Sequence, residues 1–281
     1  MEEHSVQQFR AEVIARRNLP TIPTVLAKIL ALVDHDAANA RDLVGVIEQD
    51  QVLTGKMLRL ANSAFFGQAR RVATVPRAIL VLGYTTVRNL ALGVKVWDAL
   101  AGGLARQRLE ELWTHAMAVA VTTRALAARL RECDPDEAFT AGLLHDAGRL
   151  VMAIRFREDY WRAVGGASES EPVDQIERET FAIDHAEVAG WLFEAWNLPS
   201  EICEAARQHH LPDARPGMPA LLAMTNRLVA WTDLTSGRLR PEAASLFAQL
   251  EERGVTAEMW SELIADFRRD AEPAEAARGR R

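Results

Sequence analysis

Apolar residues recur at a spacing of three to four along almost the whole chain, and no segment alternates apolar and polar residues cleanly with a period of two. A spacing of three to four places these side chains on one face of a helix, whereas a half-buried strand requires a period of two. With 281 residues, 49% of them hydrophobic, the chain can bury a large core without a disulfide or a metal. The sequence therefore predicts an all-α globular fold.

Charge and cysteine content exclude several classes of protein. The net charge is −6 and no basic block is present, which removes the electrostatic reason for binding nucleic acid. Cys133 and Cys203 lie far apart and form neither a disulfide framework nor a zinc motif. The first 17 residues lack the apolar core of a signal peptide, and the most apolar stretch, Ala78–Trp97, carries Arg88 and Lys95. We expect a cytoplasmic protein without a membrane partner.

Breaks in the helical pattern divide the chain into segments. We expect one helix within residues 1–17, then short helices up to a boundary at Ala101-Gly102-Gly103. Beyond this boundary the pattern predicts a long helix over Leu104–Arg131, another over Pro135–Phe156, and further helices to about residue 267. The last residues, Asp270–Arg281, are expected to form a frayed tail.

Local signals mark two helix starts and one region of close packing. Asp184 followed by Glu187 is a carboxylate version of the capping box, and Ser200 is expected to cap the next helix. Gly142 and Gly148 lie within a predicted helix, where each costs roughly 1 kcal/mol relative to alanine. We therefore expect neighbouring helices to approach the backbone closely at these two glycines.

Histidines are the main candidates for chemistry in this sequence, and five of the seven lie on or beside four separate predicted helices. Neutral imidazoles together with a carboxylate are good ligands for Mn, Fe, Ni or Zn, and helices that converge in a bundle can bring them together. The competing interpretation is that each one is an ordinary core or helix-end histidine with satisfied nitrogens. The candidate set is His115, His145, Asp146, His185, His209 and His210.

Several sequence blocks carry a resemblance to a known family. Residues 142–148 read GLLHDAG, and residues 58–67 read LRLANSAFFG. The blocks LPTIP at 19–23, AILVLG at 78–83 and LWTH at 112–115 accompany them in the same order as in that family. From about residue 18 to about residue 213, the chain resembles the HDOD (HD-related output domain) family, a non-catalytic relative of the HD phosphohydrolase superfamily.

The resemblance implies two helical lobes, an N-terminal helical bundle packed on an HD-like helical lobe. The implied division is an N-terminal helix at 1–17, an HDOD domain at 18–213, and C-terminal helices with the tail at 214–281. Within the domain, the first lobe covers 18–101 and the HD-like lobe covers 104–213. HDOD modules occur in bacterial signalling proteins and are regarded as acting through protein contacts, so the resemblance also implies a regulatory module.

The chain departs from the pattern of the active HD enzymes at three places. Asn226 matches the distal Asp that these enzymes need, and a neutral amide is a weaker ligand that cannot offset the charge of a cation. Arg149 stands where active cyclic-dinucleotide hydrolases often have Lys, and it is a candidate phosphate contact. Their Gly-Tyr-Pro after the paired histidines is replaced by Leu211-Pro212-Asp213. We expect a degenerate site that includes Asn226, with no catalytic residue and no required cofactor.

Together these observations predict a stand-alone bacterial signalling module that acts on signalling proteins in trans and is not an enzyme. The His/Asp set would then form a structural hydrogen-bonded network, and a site for a divalent metal (Mn, Fe, Ni or Zn) is the alternative. A metal-dependent phosphohydrolase of a nucleotide or cyclic dinucleotide is the rival function. A third alternative is a nucleotide sensor that binds its ligand between the lobes without hydrolysing it.

Overall fold

The computed structural model describes residues 3–15, 23–33, 40–62, 66, 71–102, 104–165, 172–211, 214–234 and 238–276. Parts of several predicted features lie outside the described residues, namely 19–22 of the LPTIP block, 63–65 and 67 of the second block, Gly103, Pro212, Asp213 and the last five residues of the tail. Across the described residues the predicted all-α class is confirmed, apart from one short hairpin.

The N-terminal helix and the first lobe are made of short helices around an aliphatic core. They are α1 (Glu3–Ile14), α2 (Thr24–Val33), α3 (Ala40–Glu48), α4 (Gln51–Ala61), α5 (Val75–Leu82) and α6 (Tyr84–Leu100). Helix α6 is buried along most of its length and packs against α2, α4 and α5. Gly83 joins α5 to α6 at a φ of 90°, a conformation that glycine adopts without strain.

The second lobe is assembled along one long helix. Its helices are α7 (Arg106–Leu130), α8 (Pro135–Leu144), α9 (Ala147–Phe156), α10 (Glu158–Val164), α11 (Val173–Phe181), α12 (His185–Ala195), α13 (Ser200–Gln208) and α14 (Met218–Ala230). Helices α8 and α14 pack on α7, while α12 packs on α9 and α13. The N-terminal helix α1 packs on α12, so it contributes to the surroundings of this lobe.

The C-terminal segment continues from α14 into a short antiparallel hairpin, β1 (Thr232–Asp233) and β2 (Arg238–Leu239). A 3-10 turn (Pro241–Ala243), α15 (Ala244–Glu252) and α16 (Ala257–Ala276) follow. Helix α16 packs on α7 and continues to Ala276, past the residue at which the sequence pattern places the start of a tail. The hairpin strands are too short for a period of two to mark them in the sequence.

The predicted single helix over Pro135–Phe156 is wrong. Helix α8 ends at Leu144 and α9 begins at Ala147, so His145 and Asp146 form a turn between two helices. The sequence pattern does not reveal this turn, because residues 138–144 of α8 and most of the residues of α9 are buried, so buried residues flank the turn on both sides. The break matters for function, since it releases the two side chains from a regular helical surface.

Two further local predictions have different outcomes. The prediction for Asp184 is confirmed, because its carboxylate accepts a hydrogen bond from the backbone N–H of Glu187 at 3.0 Å. The prediction that Ser200 caps α13 is wrong, since Pro199 occupies the cap position and the Ser200 hydroxyl donates to Glu201 at 3.1 Å. Helix α10 was not predicted from the sequence.

The predicted close packing at two glycines is confirmed. A Cβ atom added to Gly142 would lie 2.6 Å from the Cα of Ala120, so α8 lies directly on the backbone of α7. A Cβ added to Gly148 would collide with the backbone carbonyl of His185, which brings α9 against the start of α12. The two glycines therefore bring the turn that carries the His-Asp pair close to the helices that carry the other histidines.

Candidate functional site

The structure brings the eight predicted site residues together inside the second lobe, although they come from distant parts of the sequence. Six helices or their ends supply them, and Asp146 lies at the centre. His115 is on α7, His145 and Asp146 form the α8–α9 turn, Arg149 is on α9, His185 begins α12, His209 and His210 follow α13, and Asn226 is on α14.

Asp146 is the common partner of this group. Its Oδ1 lies 3.1 Å from Nε2 of His185, 3.4 Å from Nε2 of His145 and 3.6 Å from Nε2 of His209. Its Oδ2 lies 3.3 Å from Arg149. Burial alone would raise the pKa of Asp146, but the neighbouring His145 and His209 rings, the hydrogen bond from His185 and the guanidinium of Arg149 hold this pKa well below its usual value. The carboxylate is therefore an anion.

Backbone carbonyls fix the orientation of two of the histidine rings. Nδ1 of His145 donates to the carbonyl of Gly142 at 2.7 Å, and Nδ1 of His209 donates to the carbonyl of Ala206 at 2.6 Å. With the proton held on Nδ1, each ring turns its Nε2 towards Asp146. Hydrogen bonds of this kind behind a histidine are the usual support of a metal ligand.

Among the described residues, His145 has the side chain whose surroundings best suit a bound cation. Its side chain is fully buried, and its Nε2 has no hydrogen-bond partner among the described residues. Burial lowers the pKa of His145 to about 3, so the ring is neutral and Nε2 carries a lone pair. This lone pair faces an oxygen of Asp146 at 3.4 Å, so two acceptors meet without a proton between them. A cation would satisfy both.

His185 lies between two carboxylates. Its Nδ1 lies 2.5 Å from Oε2 of Glu177, while its Nε2 faces Asp146 and lies 2.9 Å from Nε2 of His210. Burial alone would lower the pKa of His185, but the two carboxylates outweigh it and raise this pKa to about 10. A proton therefore occupies the ring that a cation would use, and cation binding has to displace it.

Asn226 pairs with His115 at the edge of the cluster. Nε2 of His115 lies 2.9 Å from Oδ1 of Asn226, the distance of a hydrogen bond in which the ring nitrogen donates. The same nitrogen is 4.0 Å from Oδ2 of Asp146. Burial lowers the pKa of His115, so this ring is neutral. On this side of the cluster, the group beside His115 is therefore an uncharged amide.

These residues fit a divalent metal of the type that imidazole and carboxylate ligands select. Two overlapping groups of ligand atoms share Asp146, and within each group the atoms lie within 4.8 Å of one another. When bound, Mn, Fe, Ni or Zn would supply a positive charge that neutralises the carboxylate. The groups are His115, His145 and Asp146, and Asp146, His185, His209 and His210.

Sequence reasoning missed three side chains that surround the cluster. Glu177 and Asp174 on α11 face His185 and His210, and Tyr160 on α10 donates to Glu177 at 2.8 Å. No spacing in the sequence links them to the histidines, because the contacts depend on how α10 and α11 fold back. Arg149 contacts Tyr160 through Nε at 3.3 Å, and its role as a phosphate contact stays a prediction.

Comparison with known proteins places this fold and site in a family. A family model of the HDOD domain matches residues 19–212, more than two-thirds of the chain. The chain belongs to the HDOD family. An HDOD domain protein from Geobacter sulfurreducens is 22% identical with a TM-score of 0.74, and the match covers 96% of this chain and 99% of that one.

Other relatives carry different descriptions. A candidate phosphohydrolase from Shewanella amazonensis SB2B is 24% identical with a TM-score of 0.71, and the match covers 92% of this HDOD chain and 97% of that one. A candidate signal transduction protein from Marinobacter aquaeolei VT8 is 25% identical with a TM-score of 0.67, and the match covers 99% of this chain and 66% of that one. An uncharacterized protein from Treponema pallidum is 25% identical over 226 residues, and this chain matches 43% of its length. In the described part of the chain, no helix has the length and apolarity that crossing a bilayer requires.

Proposed function

We propose that this HDOD protein is a bacterial signalling module that regulates partner proteins by direct contact and does not catalyse a reaction. The observation that carries the proposal is the amide of Asn226. A metal centre that generates hydroxide and neutralises charge on phosphorus depends on anionic ligands, and this amide offers only a dipole. Its oxygen is also already hydrogen-bonded to His115 at 2.9 Å.

Burial of the cluster supports the same proposal. His145 and His209 have no exposed surface, and Asp146 is 3% exposed. A phosphate ester would have to reach ligands that are buried apart from His115 and His210, whose side chains are only 25% and 20% exposed. This arrangement suits a centre that holds helices together better than one that exchanges substrate and product.

We further propose that the His/Asp cluster binds one of the divalent cations Mn, Fe, Ni or Zn as an internal cross-link. The unpartnered Nε2 of His145 and the ring orientations fixed by backbone carbonyls support this role. A bound cation would stabilise the folded lobe in proportion to its affinity, about 2.7 kcal/mol at a hundredfold excess over Kd. Because the cluster joins α7, α9, α12 and α14, it would hold the second lobe as one body.

A comparative pull-down tests the regulatory proposal. Leu80 and Val52 on the first lobe are 77% and 62% exposed, the highest values among the large apolar residues described. We expect the wild-type chain to recover a specific protein from the native cell and the double variant Leu80→Glu, Val52→Glu to lose it. Asp159→Asn, an exposed change on the second lobe, is the control that should retain the partner. Recovery of no specific protein under several growth conditions would contradict the proposal.

The second candidate function is a metal-dependent phosphohydrolase of a nucleotide or cyclic dinucleotide. The observation in its favour is that the two ligand groups share one carboxylate, an arrangement that could hold two ions side by side. Turnover of cyclic di-GMP, its linear form and guanosine tetraphosphate by the Mn-loaded protein separates the two functions. We expect none, and metal-dependent turnover that is lost in Asp146→Ala would establish the hydrolase instead.

A further inference from the structure

A closed ring of polar contacts runs behind the His/Asp cluster and returns to Asp146. Five successive elements contribute one residue each: the α8–α9 turn, α9, α10, α11 and α12. The contacts are Asp146 Oδ2 to Arg149 at 3.3 Å, Arg149 Nε to the Tyr160 hydroxyl at 3.3 Å, Tyr160 to Glu177 Oε1 at 2.8 Å, Glu177 Oε2 to His185 Nδ1 at 2.5 Å, and His185 Nε2 to Asp146 Oδ1 at 3.1 Å.

The ring lies in the interior of the lobe. Tyr160 and Glu177 have no exposed surface, and His185 is 1% exposed. A buried carboxylate is costly unless its oxygens are satisfied, and both oxygens of Glu177 are used. Oε1 accepts from the Tyr160 hydroxyl, while Oε2 accepts from the backbone N–H of His185 at 2.8 Å and also meets its ring. Glu177 is therefore fixed by Tyr160 through one carboxylate oxygen and contacts His185 through the other.

We infer that Tyr160 and Glu177 are positioning residues that set the orientation of the His185 ring, and so tune the affinity of the cluster for a divalent cation. This inference rests on the proposed cation site. Neither residue faces the ligand atoms directly. Each acts through a neighbour, with Tyr160 fixing Glu177 and Glu177 fixing Nδ1 of His185, so that Nε2 points at Asp146.

Tyr160 and Glu177 are both buried within short helices, and the ring of Tyr160 has packing contacts that do not depend on its hydroxyl. Helix α10 is only seven residues long, and Tyr160 is one of its two buried residues. Helix α11 has four buried residues, one of which is Glu177. The phenol ring also packs against Phe181 at 6.2 Å between centroids, so the hydroxyl can be removed while the packing of the ring remains. The hydroxyl and the carboxylate can therefore be tested apart from the fold.

The chain offers a matched control for the hydroxyl. It contains two tyrosines, and the hydroxyl of Tyr84 on α6 is buried with no hydrogen-bond partner among the described residues. Tyr160→Phe and Tyr84→Phe thus each remove one buried hydroxyl group, the first from the second lobe and the second from the first lobe. We expect Tyr160→Phe to weaken Mn²⁺ binding, measured by titration calorimetry, by about tenfold, in line with the 10–100-fold typical of such outer partners. Tyr84→Phe should bind as the wild type does.

A second readout needs no metal. In the metal-free protein, the Nδ1–H proton of His185 should give a downfield NMR signal that is protected from solvent exchange by Glu177. We expect this signal to shift and exchange faster in Tyr160→Phe, to be lost in Glu177→Gln, and to stay unchanged in Tyr84→Phe. Glu177→Gln keeps the shape of the side chain and should weaken Mn²⁺ binding more than Tyr160→Phe does.

The outcomes separate this inference from the cation site on which it rests. If the wild type binds no Mn²⁺ but the NMR signal moves only in the Tyr160 and Glu177 variants, the positioning role is supported and the cation site is contradicted. If both tyrosine variants bind Mn²⁺ as the wild type does, with an unchanged NMR signal, the positioning role is overturned and the cation site stands.

Discussion

Each lobe contains a cluster of charged groups, half-buried in the first lobe and mostly buried in the second, and the two clusters are built differently. In the first lobe, Lys95 lies 2.9 Å from Asp50 and 3.6 Å from Asp98, and Asp98 also pairs with Lys56. Two cations and two anions are thus matched one to one. In the second lobe, a single carboxylate, Asp146, faces several imidazoles whose Nε2 atoms converge on it.

The two clusters differ in whether their polar atoms have hydrogen-bond partners. Asp50 caps α4 by accepting from the backbone N–H of Leu53 at 3.0 Å, and this bond, with help from Lys95, lowers the pKa of Asp50. In the second lobe, Nε2 of His145 has no hydrogen-bond partner among the described residues. A cluster in which charges are matched needs no ligand, whereas a lone pair without a hydrogen-bond partner beside an anion can bind a cation. This contrast supports the proposed cation site in the second cluster.

Neutralising one carboxylate in each cluster should give the largest contrast. Asp146→Asn removes the ligand that both metal groups share, so we expect Mn²⁺ affinity to fall by more than the roughly 10–100-fold typical of outer partners. Asp50→Asn keeps a capping side chain but weakens the pair with Lys95, so it should cost about 1–3 kcal/mol of stability and leave Mn²⁺ binding intact. Calorimetry measures the Mn²⁺ affinity of both variants, and melting curves measure their stability. Equal Mn²⁺ binding by both would contradict the cation site in the second cluster.

Alanine at one glycine in each lobe should change stability in opposite directions. In Gly148→Ala, the new methyl group would collide with the backbone carbonyl of His185, so we expect a loss of about 1–3 kcal/mol or more. Gly45 lies exposed within α3 with nothing near its missing Cβ, so Gly45→Ala should gain about 0.5–1 kcal/mol. Chemical denaturation of the two variants tests this. A stable Gly148→Ala protein would show that α9 and α12 need not lie so close.

An added carboxylate at the edge of the second cluster should increase its affinity for a divalent cation. Asn226→Asp supplies an anionic ligand at nearly constant volume, and we expect Mn²⁺ or Fe²⁺ affinity to rise about tenfold, or about 1.4 kcal/mol. As a control, Asn89→Asp changes a buried amide of the first lobe that donates to the carbonyl of Asp136, and it should lower stability without affecting the metal. Unchanged affinity with a lower melting temperature in Asn226→Asp would leave a purely structural histidine network.

The pH dependence of the stability of the metal-free protein tests the charge state of His185. The pKa of His185 rises from about 6.5 in the unfolded chain to about 10 in the folded one, because two carboxylates outweigh the effect of burial. The folded state therefore binds more protons between these values, so stability is fully present below pH 6.5 and is lost as pH rises towards 10. Glu177→Gln should flatten this slope in thermal melts taken with a chelator. A slope that is unchanged in the variant would contradict the charge state assigned to His185.

The sequence was sufficient for the fold class and for the members of the cluster. The periodicity of three to four identified most helices, and the boundary predicted at Ala101-Gly102-Gly103 follows directly on the observed end of α6 at Leu100. The order of the histidines, with the GLLHDAG block, indicated the family and named the eight residues that the structure brings together. Gly142 and Gly148 indicated close packing because a glycine within a helix needs a reason.

The features that the sequence did not reveal depend on contacts between distant segments. Periodicity does not reveal the turn at His145 and Asp146, since buried residues flank it on both sides. Tyr160 and Glu177 look like ordinary side chains of short helices until α10 and α11 fold back on α9 and α12. The hydrogen bond between His115 and Asn226 joins residues 111 positions apart. Packing, rather than local sequence, creates each of these.

Anomalous diffraction from a crystal of the wild-type protein grown with Mn²⁺ tests most directly whether the second cluster, and not the first, is the cation site. We expect an anomalous peak beside Asp146, within ligand distance of Nε2 of His145, and no peak beside Asp50 and Asp98. In the same crystal, Asn226 should still be hydrogen-bonded to His115. An intact histidine cluster with no peak at saturating Mn²⁺, or a peak at the lysine–aspartate cluster instead, would contradict the assignment.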